Sequence, residues 1–152
     1  MFPKTFKNIF TFSVVRHPID RLYSAYTFSK QGKTEFMGMQ KSNYYVNHPD
    51  FKSFETFVNN WLVRKKLSKL DGVFRPQYLY LFDQEDRLVV DKFYKLEKIE
   101  SHYNEISNKI GRPFTMSHDN KSDKEEIDMN PELKQLIYKL YKKDFELLGY
   151  SV

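Results

Sequence analysis

A chain of 152 residues, 40% apolar with 14 Phe and 11 Tyr and 30% charged, suits one domain around one core and excludes wholesale disorder. No run approaches the ~18 apolar residues of a membrane helix, and no long apolar secretory core opens the chain, so the reading is soluble, cytoplasmic and without a membrane segment. Zero Cys excludes disulfides and thiolate metal sites, and a net charge of +5 favours anionic partners without choosing among phosphates, sulfated sugars and nucleic acid.

Ile9 to Val15 (IFTFSVV) is β-branched and aromatic and runs straight into Arg16-His17-Pro18, which predicts a buried strand ending at a helix start. Pro18 suits the first helical turn, and Ile19, Leu22, Tyr23 and Tyr26 recur at helical spacing. Residues 30–52 hold no sustained period and read as a loop or insertion. Ser53 is the predicted N-cap of a second helix, with Phe54, Phe57, Val58, Trp61 and Leu62 as its stripe, ending near Lys66. Gln77 to Asp83 fits a short helix or an extended segment equally.

Val89 to Leu96 alternates and predicts a second strand, and Glu97 to Ile110 a helix stopped by Gly111 and Pro113. A polar segment, Ser117 to Asn130, precedes a last helix from Pro131 up to Gly149. The order strand-helix-helix-strand-helix-helix defines the α/β class, with a small parallel sheet of two or three strands flanked by helices, in a single domain over 1–152.

The chemistry concentrates where the first strand meets its helix, because free N–H groups and the helix dipole both favour an anion there. Arg16 stands at that junction. Asp20, Arg21 and Ser24 fall on the polar side of the helix, so a guanidinium and a hydroxyl can share one phosphate. An ordinary ion pair for Arg16 and a solvated Ser24 fit the same spacing. Arg75 and Gln77 either border a cleft or turn into a packed segment. Arg64-Lys65-Lys66 complements a helix C-terminus, and His48 and His102 belong to no metal-like spacing.

Phe12 to Tyr26 (FSVVRHPIDRLYSAY) resembles the 3'-phosphate signature of sulfotransferases that use 3'-phosphoadenosine 5'-phosphosulfate (PAPS), of the carbohydrate or Golgi type. The resemblance continues through RPQYLYLFD (75–83), DKFYKLEKIESHYNEISNKIG (91–111), HDNKS (118–122) and LYKKDFELLGY (140–150). It implies a P-loop-NTPase-like α/β fold, PAPS as cofactor, and transfer of sulfate to a hydroxyl of a carbohydrate-like acceptor. It places Arg16 and Ser24 on the 3'-phosphate and brings Lys121 and Ser122, on a late loop, toward the nucleotide. No catalytic residue and no metal ligand is assigned.

Two departures accompany the resemblance. His17 stands where relatives often carry Asp or Asn, and is read as a helix cap. The Gly-containing loop with Lys and Ser or Thr that holds the 5'-phosphosulfate is not read in the chain, because Pro3-Lys4-Thr5 is followed by Phe6 where Gly is needed for close backbone approach. The expectation is therefore the 3'-phosphate half of the machinery, binding nucleotide without turnover by itself. The edge beside Ile9–Val15 then invites self-association. The alternatives are a truncated, non-catalytic nucleotide-binding module and a basic nucleic-acid-binding domain. The second lacks RNP-type, zinc and helix-turn-helix signatures.

Overall fold

The computed structural model describes residues 9–32, 42–116 and 129–152. In chain order these form β1 (Phe12–Val15), α1 (Pro18–Lys30), α2 (Ser42–Asn47), α3 (Phe54–Thr56), α4 (Tyr78–Leu81), β2 (Lys92–Lys95), α5 (Tyr103–Ile110), α6 (Pro131–Leu140) and α7 (Lys142–Leu148), with short 3-10 and π turns between them. The chain divides into two compact units, one drawn from Met1–Arg16 and Leu81–Lys121, the other from His17–Tyr80 and Ser122–Val152. Among the described residues no helix is long and apolar enough to cross a membrane.

The smaller unit contains the sheet. β1 and β2 pair in parallel, in register from Phe12 with Lys92 to Val15 with Lys95. Parallel neighbours need a long crossover, here all of the chain between Val15 and Lys92. The α/β class and the small parallel sheet are as the sequence predicts. Both strands are shorter than expected. Ile9 is 55% exposed and outside the ladder. Val89 is diverted, its N–H donating to the Leu81 carbonyl at 2.8 Å beside an antiparallel bridge between Phe82 and Leu88.

Asp91 fastens the start of the ladder, its Oδ2 accepting from both the N–H and the hydroxyl of Thr11 at 2.7 Å. Beyond β2 a 3-10 segment, Leu96–His102, precedes α5, so the helix expected from Glu97 becomes α-helical only at Tyr103. It ends as predicted at Gly111, whose φ of 71° is the left-handed conformation that a Cβ disfavours. Tyr94, Ile99 and Ile106 form the small core, with Phe12, Val14 and Phe114 packed on it.

The larger unit is helical around an aromatic core. Leu22, Tyr26, Phe51, Phe57, Trp61 and Phe74 all lie within it, each at most 5% exposed. Within 30–52, α2 and a 3-10 turn, Pro49–Lys52, bring Tyr45 and Phe51 to this core. Ser53 caps α3 as expected, in a reciprocal capping box with Thr56. The helix then widens to π geometry over Phe57–Trp61 and tightens to 3-10 over Leu62–Arg64. The last helix is not continuous. It breaks at Tyr141 (φ −110°, ψ 25°) into α6 and α7, a break that periodicity misses because apolar spacing continues through it.

Candidate functional site

The residues of the β1–α1 turn have distinct tasks. Val15, 2% exposed, closes the strand, and the partly buried Arg16 follows it directly. Pro18 takes the first helical position, where its missing N–H costs nothing and its fixed φ matches the helix. The first intrahelical bond runs from the Arg21 N–H to the His17 carbonyl at 2.9 Å. His17 sits at the N-cap position, but its side chain makes no capping bond. Its Nε2 lies 2.9 Å from the Ser151 carbonyl oxygen, and its ring meets Phe145 and Tyr150 edge-on at 5.6 and 5.2 Å. Residue 17 therefore anchors the C-terminal segment rather than capping α1, which corrects the expectation drawn from its position.

Ser24 lies one turn beyond Arg21 on α1 and is partly buried. Arg16 belongs to the smaller unit and Ser24 to the larger, eight positions on along the chain. Lys121 and Ser122 lie outside the described residues, as do Pro3, Lys4 and Thr5.

Arg21 differs most from its reading as a polar-face residue. Its guanidinium turns into the larger unit, donating from Nη1 to the Arg75 carbonyl at 2.8 Å and from Nη2 to the Gly72 carbonyl at 3.1 Å. Burial lowers its pKa, a shift opposed by Tyr141, Asp144 and Tyr80. Asp144, 1% exposed, completes the arrangement from α7. Its two oxygens accept the N–H groups of Gln77 and Tyr78, each at 2.8 Å. Burial pushes the Asp144 carboxyl up, against those two bonds and the Arg21 charge. Tyr141 adds its hydroxyl to the Phe74 carbonyl at 2.7 Å.

The segment from Gly72 to Tyr78 is thus held by a cation at its carbonyls and an anion at its N–H groups. Arg75 and Gln77 are parts of this turn. Arg75 donates through Nε to the Leu70 carbonyl, and Gln77 is 7% exposed. Asp144 carries no local signal in the sequence beyond its place in the 140–150 stretch of the resemblance.

The remaining candidates are structural or solvated. Arg64, Lys65 and Lys66 are exposed, with the Lys65 ammonium 5.3 Å from the Trp61 ring centroid. His48 caps the Pro49–Lys52 turn, its Nδ1 accepting from the Asp50 N–H at 3.1 Å. His102 Nδ1 lies 3.3 Å from Glu105, which also receives Lys92 at 2.6 Å and the Tyr94 hydroxyl at 3.0 Å. Burial and this carboxylate push the Tyr94 hydroxyl up to about 12, while Lys92 and Tyr94 hold Glu105 below its usual value. Among the described residues no group of three or more His, Asp or Glu could hold a metal ion.

The first strand of a two-stranded parallel sheet thus leads through Arg16-His17-Pro18 into a helix that carries Arg21 and Ser24. The family model described as the sulfotransferase family matches residues 2–151, and the chain belongs to that family of transferases. No curated protein and no solved structure matches it.

Proposed function

We propose that the chain binds PAPS, with Arg16 and Ser24 on the 3'-phosphate, and serves transfer of the sulfuryl group to a hydroxyl of a carbohydrate acceptor. The observation that carries this reading is the run Arg16-x-Pro18-x-x-Arg21-x-x-Ser24-x-Tyr26, set across a strand-to-helix turn in a chain that the family model matches almost end to end. A guanidinium offers a planar pair of donors to a phosphate, and the helix start favours its charge.

In the reaction the acceptor oxygen bonds to sulfur as the bond from sulfur to the 5'-phosphate oxygen breaks, releasing 3'-phosphoadenosine 5'-phosphate, and the hydroxyl proton passes to a base. The donor supplies the activated sulfuryl group, and Arg16 and Ser24 contribute by holding the nucleotide at its far end, which orients the other end for in-line attack. Lys121 and Ser122 are assigned to the nucleotide as well, on the strength of the HDNKS resemblance. The carbohydrate acceptor rests on the resemblance to carbohydrate sulfotransferases.

Calorimetric titration of the full chain with 3'-phosphoadenosine 5'-phosphate and with AMP tests the assignment, since the two differ only in the 3'-phosphate. The expected result is tighter binding of the first. Equal affinity overturns the phosphate site.

A further inference from the structure

We infer that Arg21 is the positioning residue of the phosphate site: by forking onto the Gly72 and Arg75 carbonyls it sets the rotation of α1, and with it the direction in which Ser24 presents its hydroxyl. The inference rests on the proposed role of Ser24 and extends it to a group that never meets the ligand.

The geometry supplies the argument. Arg21 and Ser24 are three positions apart on one helix, hence neighbours on one side of it. A single hydrogen bond would leave a helix free to swing about the contact. Two bonds from one planar group to carbonyls three residues apart, at 2.8 and 3.1 Å, restrain both its slide and its rotation. The Gly72–Tyr78 turn is itself held, since Asp144 takes the N–H groups of Gln77 and Tyr78 and Tyr141 takes the Phe74 carbonyl. Arg21 therefore docks α1 on a segment secured at several points.

The sensitivity of Ser24 to this restraint follows from helix dimensions. A hydroxyl at about 5 Å from the axis moves roughly 1–2 Å when a helix turns by about 20°. A hydrogen bond to a phosphate oxygen does not survive a displacement of that size. A partly buried guanidinium spent on backbone carbonyls of its own chain gives up part of its hydration, a costly way to gain packing alone.

The test compares four forms of the full chain: wild type, Arg21→Lys, Ser24→Ala and the double variant. Each is titrated with 3'-phosphoadenosine 5'-phosphate and with AMP, and thermal unfolding is followed in parallel. Arg21→Lys keeps a cation near Asp144 but loses the fork, and is expected to cut the preference for the 3'-phosphorylated nucleotide by about tenfold. The double variant is expected to lose no more than the worse single one, because both changes remove the same contact.

Ile137→Val, a truncation at a fully buried core position, serves as the control. It should lower the melting temperature and leave the nucleotide preference intact, which separates lost stability from lost positioning. Should Arg21→Lys fail to fold, Arg21→Gln, which retains a donor for one of the two carbonyls, takes its place. A wild type that discriminates beside an Arg21 variant that discriminates equally overturns the positioning role alone. Losses that add in the double variant overturn it too. A wild type that binds both nucleotides equally overturns the phosphate reading, and this role with it.

Discussion

The carboxylate of Asp144 accepts the backbone N–H of Gln77 at 2.8 Å, 67 positions earlier in the chain, in a setting that leaves Asp144 1% exposed. With Tyr78 on its other oxygen, this side chain satisfies two amide donors at the start of α4. Asp144→Ala strands both donors and removes the anion that the Arg21 charge interacts with. We expect a loss of about 3 kcal/mol in urea unfolding, the scale for a buried charge deprived of its partners. Asp144→Asn keeps one acceptor and should fall between that variant and wild type.

Acid should act on the smaller unit through Glu105. Lys92 and Tyr94 hold its folded pKa below the unfolded value, so its contribution is complete above about pH 4.3 and is lost as pH falls through the lowered folded value. Glu105→Gln should be less stable at pH 7 and lose less stability than wild type on acidification below about pH 5. The slope will not vanish, since Asp83 and Asp91 are lowered in the same way, chiefly by backbone bonds from Arg87 and Thr11. Asp144 works in the opposite sense, because a raised carboxyl favours the folded state as it protonates. Chemical denaturation at several pH values, with and without the substitution, checks this.

At Ser53 the capping box predicts a modest, local effect. The Ser53 hydroxyl accepts the Thr56 N–H at 3.1 Å, and the Thr56 hydroxyl accepts the Ser53 N–H at 3.2 Å. Ser53→Ala should cost about 1 kcal/mol in equilibrium unfolding. Ser53→Gly should cost less, and no loss with alanine would show that the helix needs no cap there.

For Arg16 the expectation concerns ligand alone. Arg16→Ala should weaken 3'-phosphoadenosine 5'-phosphate binding by about one to two orders of magnitude, the value of one charge-assisted hydrogen bond, and leave AMP binding nearly unchanged. Arg16→Lys should recover only part, since an ammonium keeps the charge and loses the bidentate geometry. Titration of both variants with both nucleotides is decisive, and an Arg16→Ala chain that binds as wild type contradicts the site.

Local chemistry explains what was legible before the structure. Pro18 and the Ile19, Leu22, Tyr26 spacing locate α1, Ser53 locates α3, and Gly111 stops α5, because caps, prolines and apolar periods act within one or two turns. Two strands separated by helical segments were enough for the α/β class. The burial of Arg21 was not legible, since its acceptors are backbone carbonyls 54 and 51 positions downstream and carbonyls have no sequence signature. His17 was misread for a related reason: its partner is the Ser151 carbonyl, 134 positions away. Within 30–52, α2 and the Pro49–Lys52 turn pack aromatics inward without a sustained period, so nothing local marks them as core.

The place of Trp61 makes the chain self-reporting. It is the one tryptophan in the sequence, and it is 4% exposed among Phe57, Phe51 and Phe74 in the larger unit. Tryptophan emission therefore reads the opening of that unit alone, with no added label. Far-UV circular dichroism, by contrast, sums the helices of both units. Superimposable denaturation curves from the two signals would mean that the units melt as one cooperative body, whereas separated midpoints would resolve the free energy that each holds by itself.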